Sequence, residues 1–96
     1  MIVRDKMERK LKEGLAPTRL DIYDDSNRHI GHAGAHPEGE SHFRMEIVSP
    51  AFAGKSRVAR QRMVYDLLSE ELSERVHALS LTALLTPDEE AAARAG

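Results

Sequence analysis

Residues 42–68 read HFRMEIVSPAFAGKSRVARQRMVYDLL, and the fold turns on where the hydrophobic period changes inside them. Over 42–49 apolar and polar residues alternate, with Phe43, Met45 and Ile47 facing one way and His42, Arg44 and Glu46 the other. A period of two predicts a half-buried strand. Ser49-Pro50 then suits the cap and first residue of a short helical turn, which Gly54 closes. Ser56 is placed to cap a longer helix running to about residue 74. Val64, Leu67, Leu68 and Leu72 supply its apolar stripe, and Glu71 with Arg75 is a favourable pair near its end.

Working outward, residues 2–13 predict a helix: Ile2, Val3, Met7 and Leu11 form the stripe, and Asp5–Arg9 and Glu8–Lys12 are i,i+4 pairs. Gly14 is expected to stop it and Pro17 to prevent its resumption. RLDIYD at 19–24 alternates and predicts a second strand. The glycine- and histidine-rich stretch between the strands is longer than a tight hairpin needs, which suggests a functional loop. VHALSLTAL at 76–84 predicts a third strand. TPDE at 86–89 is a capping box, with Thr86 as cap, Pro87 at the first helical position and Glu89 reaching back. It opens an Ala-rich helix whose residues 90–96 are expected to fray. The order is α-β-β-α-α-β-α, a single domain over 1–96.

Ninety-six residues, 41% apolar and 31% charged, have ordinary globular composition. A chain this short buries roughly 60–65% of its unfolded surface, enough for one core but not for a large enclosed cavity. The formal net charge of −2 gives no global attraction to nucleic acid or anionic membrane. With no cysteine, the chain lacks disulfides, thiol catalysis and self-contained zinc or iron–sulfur cages. No run approaches the ~20 apolar residues of a membrane span, and the N-terminus lacks a signal-peptide core. A cytoplasmic protein is the expectation.

Three features carry chemistry. Four of the five histidines, His29, His32, His36 and His42, lie in HIGHAGAHPEGESH at 29–42. Imidazoles hold metals when two or three donors converge, but no zinc-finger or HExxH spacing is present, and a solvated loop accounts for each histidine taken alone. His42 opens a strand and is expected on its polar face. His77 stands between apolar neighbours where a helix gives way to a strand, a position that equally suits a half-buried histidine bonded to backbone. Lys55, Arg57, Arg60 and Arg62 form a basic run at the start of a helix, which suits phosphates or a solvated face alike. Arg57 and Arg60 share one side and Arg62 turns away. Gly31-His32-Ala33-Gly34 matches the GxxG of KH domains, but it lies between strands rather than helices. Asp25, Ser26 and His29 form no triad, since no nucleophile elbow is present.

Several motifs occur in order: LDIYDDS at 20–26, SHF at 41–43, the F-x-G-x-S-R-x-x-R-x-R-x-V-Y pattern from Phe52 to Tyr65, VHAL at 76–79 and TPDE. Together they resemble the BolA family over nearly the whole chain, to about residue 89. The resemblance implies an α+β fold of KH-like type II, a three-stranded mixed sheet packed by helices on one side. It also implies a partner, a monothiol (CGFS-type) glutaredoxin, with which the family binds a bridging [2Fe–2S] cluster in iron–sulfur trafficking or iron signalling. The glutaredoxin and glutathione would supply thiolates. This chain would supply His77 and a loop histidine, His29 or His32, with His29 favoured by its offset from the DDS segment. Such mixed ligation raises the cluster potential relative to four thiolates. No enzyme activity, no membrane association and a monomer when alone are expected. The alternative is a DNA-binding regulator using Lys55, Arg57, Arg60 and Arg62. Gln61 stands where many members have histidine, which weakens base readout there.

Overall fold

The computed structural model describes residues 2–24, 42–74, 76 and 78–95. Helix α1 spans Ile2–Leu15, strand β1 Arg19–Asp24 and strand β2 His42–Val48. A 3-10 turn, Pro50–Phe52, leads to α2 (Arg57–Leu67) and α3 (Ser69–Glu74), then β3 (Ala78–Leu85) and α4 (Pro87–Ala95). The strand order is β1-β2-β3, with β1 antiparallel to β2 and β3 parallel to it. This is the mixed three-stranded sheet and helix order expected from the sequence. No helix among the described residues is long and apolar enough to cross a membrane.

The two alternating strands bury the predicted faces. Phe43, Met45 and Ile47 of β2 and Ile22 of β1 meet Met7, Leu11 and Leu15 of α1 and Val64 of α2 in one core. The opposite sheet face carries charge: Arg19 is 3.1 Å from Glu46 across the strand pair and also pairs with Asp21. Cross-strand pairing of this kind suits the solvated side of a half-buried sheet. The β2–β3 register shifts after Met45, and Thr82 Oγ1 donates to the Met45 carbonyl there at 3.1 Å.

The turn after β2 forms as its residues predict. Buried Ser49 accepts from Ala51 N–H at 3.0 Å, and Gly54 adopts φ +75°, which only glycine takes without strain. Ser49 also does what its position in sequence does not reveal. Its hydroxyl donates to Leu15 O at 2.5 Å, and its N–H donates to Leu85 O at 2.8 Å, joining α1 and β3 to the turn.

Two expectations about helices are corrected. Gly14 does not stop α1; the helix continues to Leu15, and Ala16 takes the left-handed conformation at φ 44° with its N–H on Lys12 O. Gly14 is instead a contact point, since a Cβ there would lie 2.7 Å from Leu67 Cδ2 of α2. The helix expected from Ser56 to about 74 is broken at fully buried Leu68, whose φ −106° and ψ 16° leave helical geometry. The bend sets α3 so that Glu71, only 4% exposed, lies 2.7 Å from Lys10 Nζ of α1. That ion pair holds the Lys10 pKa above the usual lysine value. Arg75, the expected partner of Glu71, lies outside the described residues.

Candidate functional site

One end of the sheet gathers the segments that carry the candidate metal ligands. β1 ends at Asp24, opposite Phe43, and β2 begins at His42, opposite Ala78 at the start of β3. The chain therefore leaves β1, enters β2 and enters β3 at the same end. Residues 25–41, with His29, His32 and His36, join the first two of these points, and residue 77 immediately precedes the third. His29, His32, His36 and His77 themselves lie outside the described residues. What the structure describes is their attachment. Val76 is 4% exposed and its N–H donates to Glu71 O at 2.9 Å, so the chain before residue 77 is tied to α3 and thus to α1 through Lys10. Ala78 after it is exposed in the ladder beside His42.

His42 is half-buried on the strand, as its place in the alternation predicts. Near it, on the open sheet face, the Arg44 guanidinium lies 4.2 Å from the ring centroid of Tyr23, its cross-strand partner. Among the described residues no group of three or more His, Asp or Glu side chains is arranged to hold a metal ion. An open apolar groove of about 300 Å³, lined by Gly14, Leu15, Met63, Asp66 and Leu67, runs between α1 and α2 and contains no histidine.

The basic run is split by the fold. Ser56 Oγ accepts from Ala59 N–H at 3.1 Å and starts α2, which turns Arg57 and Arg60 toward β3. Arg57 Nη2 donates to Leu81 O at 3.1 Å. Arg60 donates through Nε to Lys55 O at 3.0 Å and through Nη1 to Leu84 O at 2.8 Å. It also grips Glu89 of α4 through both carboxylate oxygens, at 2.6 and 3.2 Å. Its side chain is 11% exposed, whereas Lys55 and Arg62 are exposed. Two of the four basic groups thus serve as fasteners of β3 and α4, a role their spacing in sequence does not reveal.

The capping box forms as predicted: Thr86 N–H donates to Glu89 Oε1 at 2.8 Å and Glu89 N–H to Thr86 Oγ1 at 3.1 Å. The Arg60 contact, helped by the Thr86 N–H, holds the Glu89 carboxyl at about 2, below its usual 4.5. A depressed carboxyl stabilises the fold fully above its unfolded value and loses that contribution as pH falls through its folded value. An NMR titration of Glu89 is therefore expected to show a midpoint near 2, and wild type is expected to exceed Glu89→Gln in stability above pH 4.5, the gap closing toward pH 2. A Glu89 midpoint at the ordinary 4.5 would refute the pairing in solution.

Comparison with known proteins gives a family and close relatives. The BolA-like protein family matches residues 11–89. The chain is 45% identical over 89 residues to UV-induced protein uvi31 of Schizosaccharomyces pombe, covering 90% of this chain and 87% of that one. It is 43% identical over 81 residues to the DNA-binding transcriptional regulator BolA of Escherichia coli, covering 84% of this chain and 73% of that one. The solved structure of BolA1 from Arabidopsis thaliana superposes with a TM-score of 0.79 at 39% identity, over 93% of this chain and 96% of that one.

Proposed function

This chain belongs to the BolA family, and from that premise we propose that it is a non-enzymatic adaptor that pairs with a monothiol glutaredoxin to carry a shared [2Fe–2S] cluster. The sheet register is the observation that supports this most directly. The segment bearing His29 and His32 and the chain around residue 77 attach at one sheet end, through Asp24, His42 and Ala78. Two strand spacings are about 10 Å. His29 is five residues beyond Asp24, and five residues of extended chain span up to about 17 Å. A loop imidazole and one at position 77 are thus within reach of each other, and His29 and His32 both satisfy the limit.

The donor chemistry agrees. The chain has no cysteine, so its share of the ligands is imidazole, and the thiolates come from the glutaredoxin and its glutathione. Imidazoles from this chain combined with thiolates from the partner would raise the cluster potential relative to four thiolates. The cluster is cargo held jointly, and the protein's part is to present nitrogen donors from an anchored sheet end.

Mixing the protein with a monothiol glutaredoxin, glutathione and cluster-reconstitution reagents tests the proposal. The expected result is a heterodimer whose visible and circular-dichroism spectra differ from those of the cluster-bridged glutaredoxin homodimer. Spectra that remain those of the homodimer at excess of this protein would sink it. A second reading, duplex-DNA binding, is favoured by the relatives named DNA-binding transcriptional regulators and by the exposed charges of Lys55, just before α2, and of Arg57 and Arg62 on it.

A further inference from the structure

Helix α4 is held on by charge. None of its residues is buried. Besides the capping box, its anchors are Glu89 on Arg60 and Glu90 on Arg19, the latter at 2.6 Å. A helix with no buried apolar side chain is released at low cost, because little hydrophobic surface is exposed by opening it. Its residues Asp88, Glu89, Glu90 and Arg94 sum to −2, which is also the formal net charge of the whole chain, so the rest of the molecule is neutral overall.

Arg60 is arranged to receive an oxyanion whether or not Glu89 is present. Nε on Lys55 O and Nη1 on Leu84 O fix the guanidinium to the turn and to the end of β3. Nη1 and Nη2 then face the carboxylate as a fork, and the same planar fork matches two oxygens of a phosphate. Exposed Lys55 precedes the helix, Arg57 one turn before Arg60 is tied to Leu81 O, and exposed Arg62 lies two residues further on.

We propose that α4 is an internal anion cover for the basic start of α2. Glu89 occupies on Arg60 the place of a nucleic-acid phosphate, and lifting α4 frees the Arg60 fork to join the exposed Lys55, Arg57 and Arg62 on duplex DNA. The proposal rests on the DNA-binding reading. It makes DNA affinity a property regulated by the C-terminal helix rather than a fixed property of α2.

The test compares the wild-type 96-residue chain with Glu89→Gln for binding to a fluorescent mixed-sequence duplex, by anisotropy across a salt series. Glutamine keeps the capping hydrogen bond and removes the charge from Arg60. Glu13→Gln, at an exposed position of α1, makes the same change in net charge without touching Arg60 or either anchor of α4. Glu89→Gln is expected to bind roughly 5- to 10-fold tighter near 50 mM salt, with a log–log salt slope steeper by about one, as one further phosphate contact requires. The gain is expected to vanish when Arg60→Gln is added. Circular dichroism confirms that each variant is folded. Equal affinity and slope in wild type and Glu89→Gln would overturn the cover while leaving DNA binding standing. Equal gains in Glu89→Gln and Glu13→Gln would overturn it too, because net charge alone would then account for them. Absence of binding in all forms at low salt overturns the cover and the DNA-binding reading together.

Discussion

His77→Ala is expected to eliminate the mixed-cluster spectrum with a monothiol glutaredoxin, leaving only the homodimer's signature. The size of the effect follows from the donor count. A cysteine-free chain has only its side-chain nitrogens and oxygens to offer the iron, and alanine removes one of the two proposed imidazoles outright. The change should remain local. Val76 is buried and bonded to Glu71 O, and Ala78 pairs with His42 in the ladder, so both neighbours of position 77 are anchored independently of its side chain. Thermal melting of the variant should therefore stay within a few degrees of wild type while the spectral change is lost. Retention of the heterodimer spectrum in His77→Ala would refute the ligand assignment. His29→Ala and His32→Ala, measured in parallel, decide the loop donor: one should reproduce the loss and the other should not.

Phe52→Ala is expected to be the most damaging core substitution. Phe52 is fully buried although it lies in a three-residue 3-10 turn, where the Ser49 cap and Gly54 aim it into the core. The Arg60 guanidinium lies 5.7 Å from its ring centroid, so the ring also underlies the fastener of α4. Deleting a buried phenyl ring costs about 3–5 kcal/mol through lost transfer energy and the cavity left behind. Domains of this size hold only about 5–15 kcal/mol in total, and each kcal/mol is worth roughly 4–8 °C in melting temperature. A fall of ~15 °C or more is expected by calorimetry, with the denaturant midpoint falling in parallel. A loss of under ~1 kcal/mol would show that the ring does not organise the core.

Much of the fold was legible because its signals are local. The β1 and β2 faces, the Ser49-Pro50 turn with Gly54, the Ser56 cap and the Thr86–Glu89 box each depend on residues within a few positions of one another. Their partners are found by periodicity and fixed offsets. Helix ends were less legible: Gly14 reads as a stop by residue type, but close packing on Leu67 gives it another use. The break at Leu68 carries no glycine or proline to announce it.

The electrostatic joints were not legible at all. Glu71 meets Lys10, sixty-one residues away. Arg60 finds Glu89 across twenty-nine residues and Arg19 finds Glu90 across seventy-one. Such pairs have no offset to detect, since they exist only after the helices dock. The site divides in the same way. Residue types alone determined the chemistry on offer: imidazoles without thiols, and a basic run at a helix start. Only the sheet, with β1 antiparallel and β3 parallel to β2, decided that the histidine-bearing loop and the chain around residue 77 attach at one end. Only the packing of α2 on β3 and α4 decided which arginines are held. Hydrophobic period is a property of neighbours along the chain, whereas convergence of distant side chains is a property of strand order and helix docking.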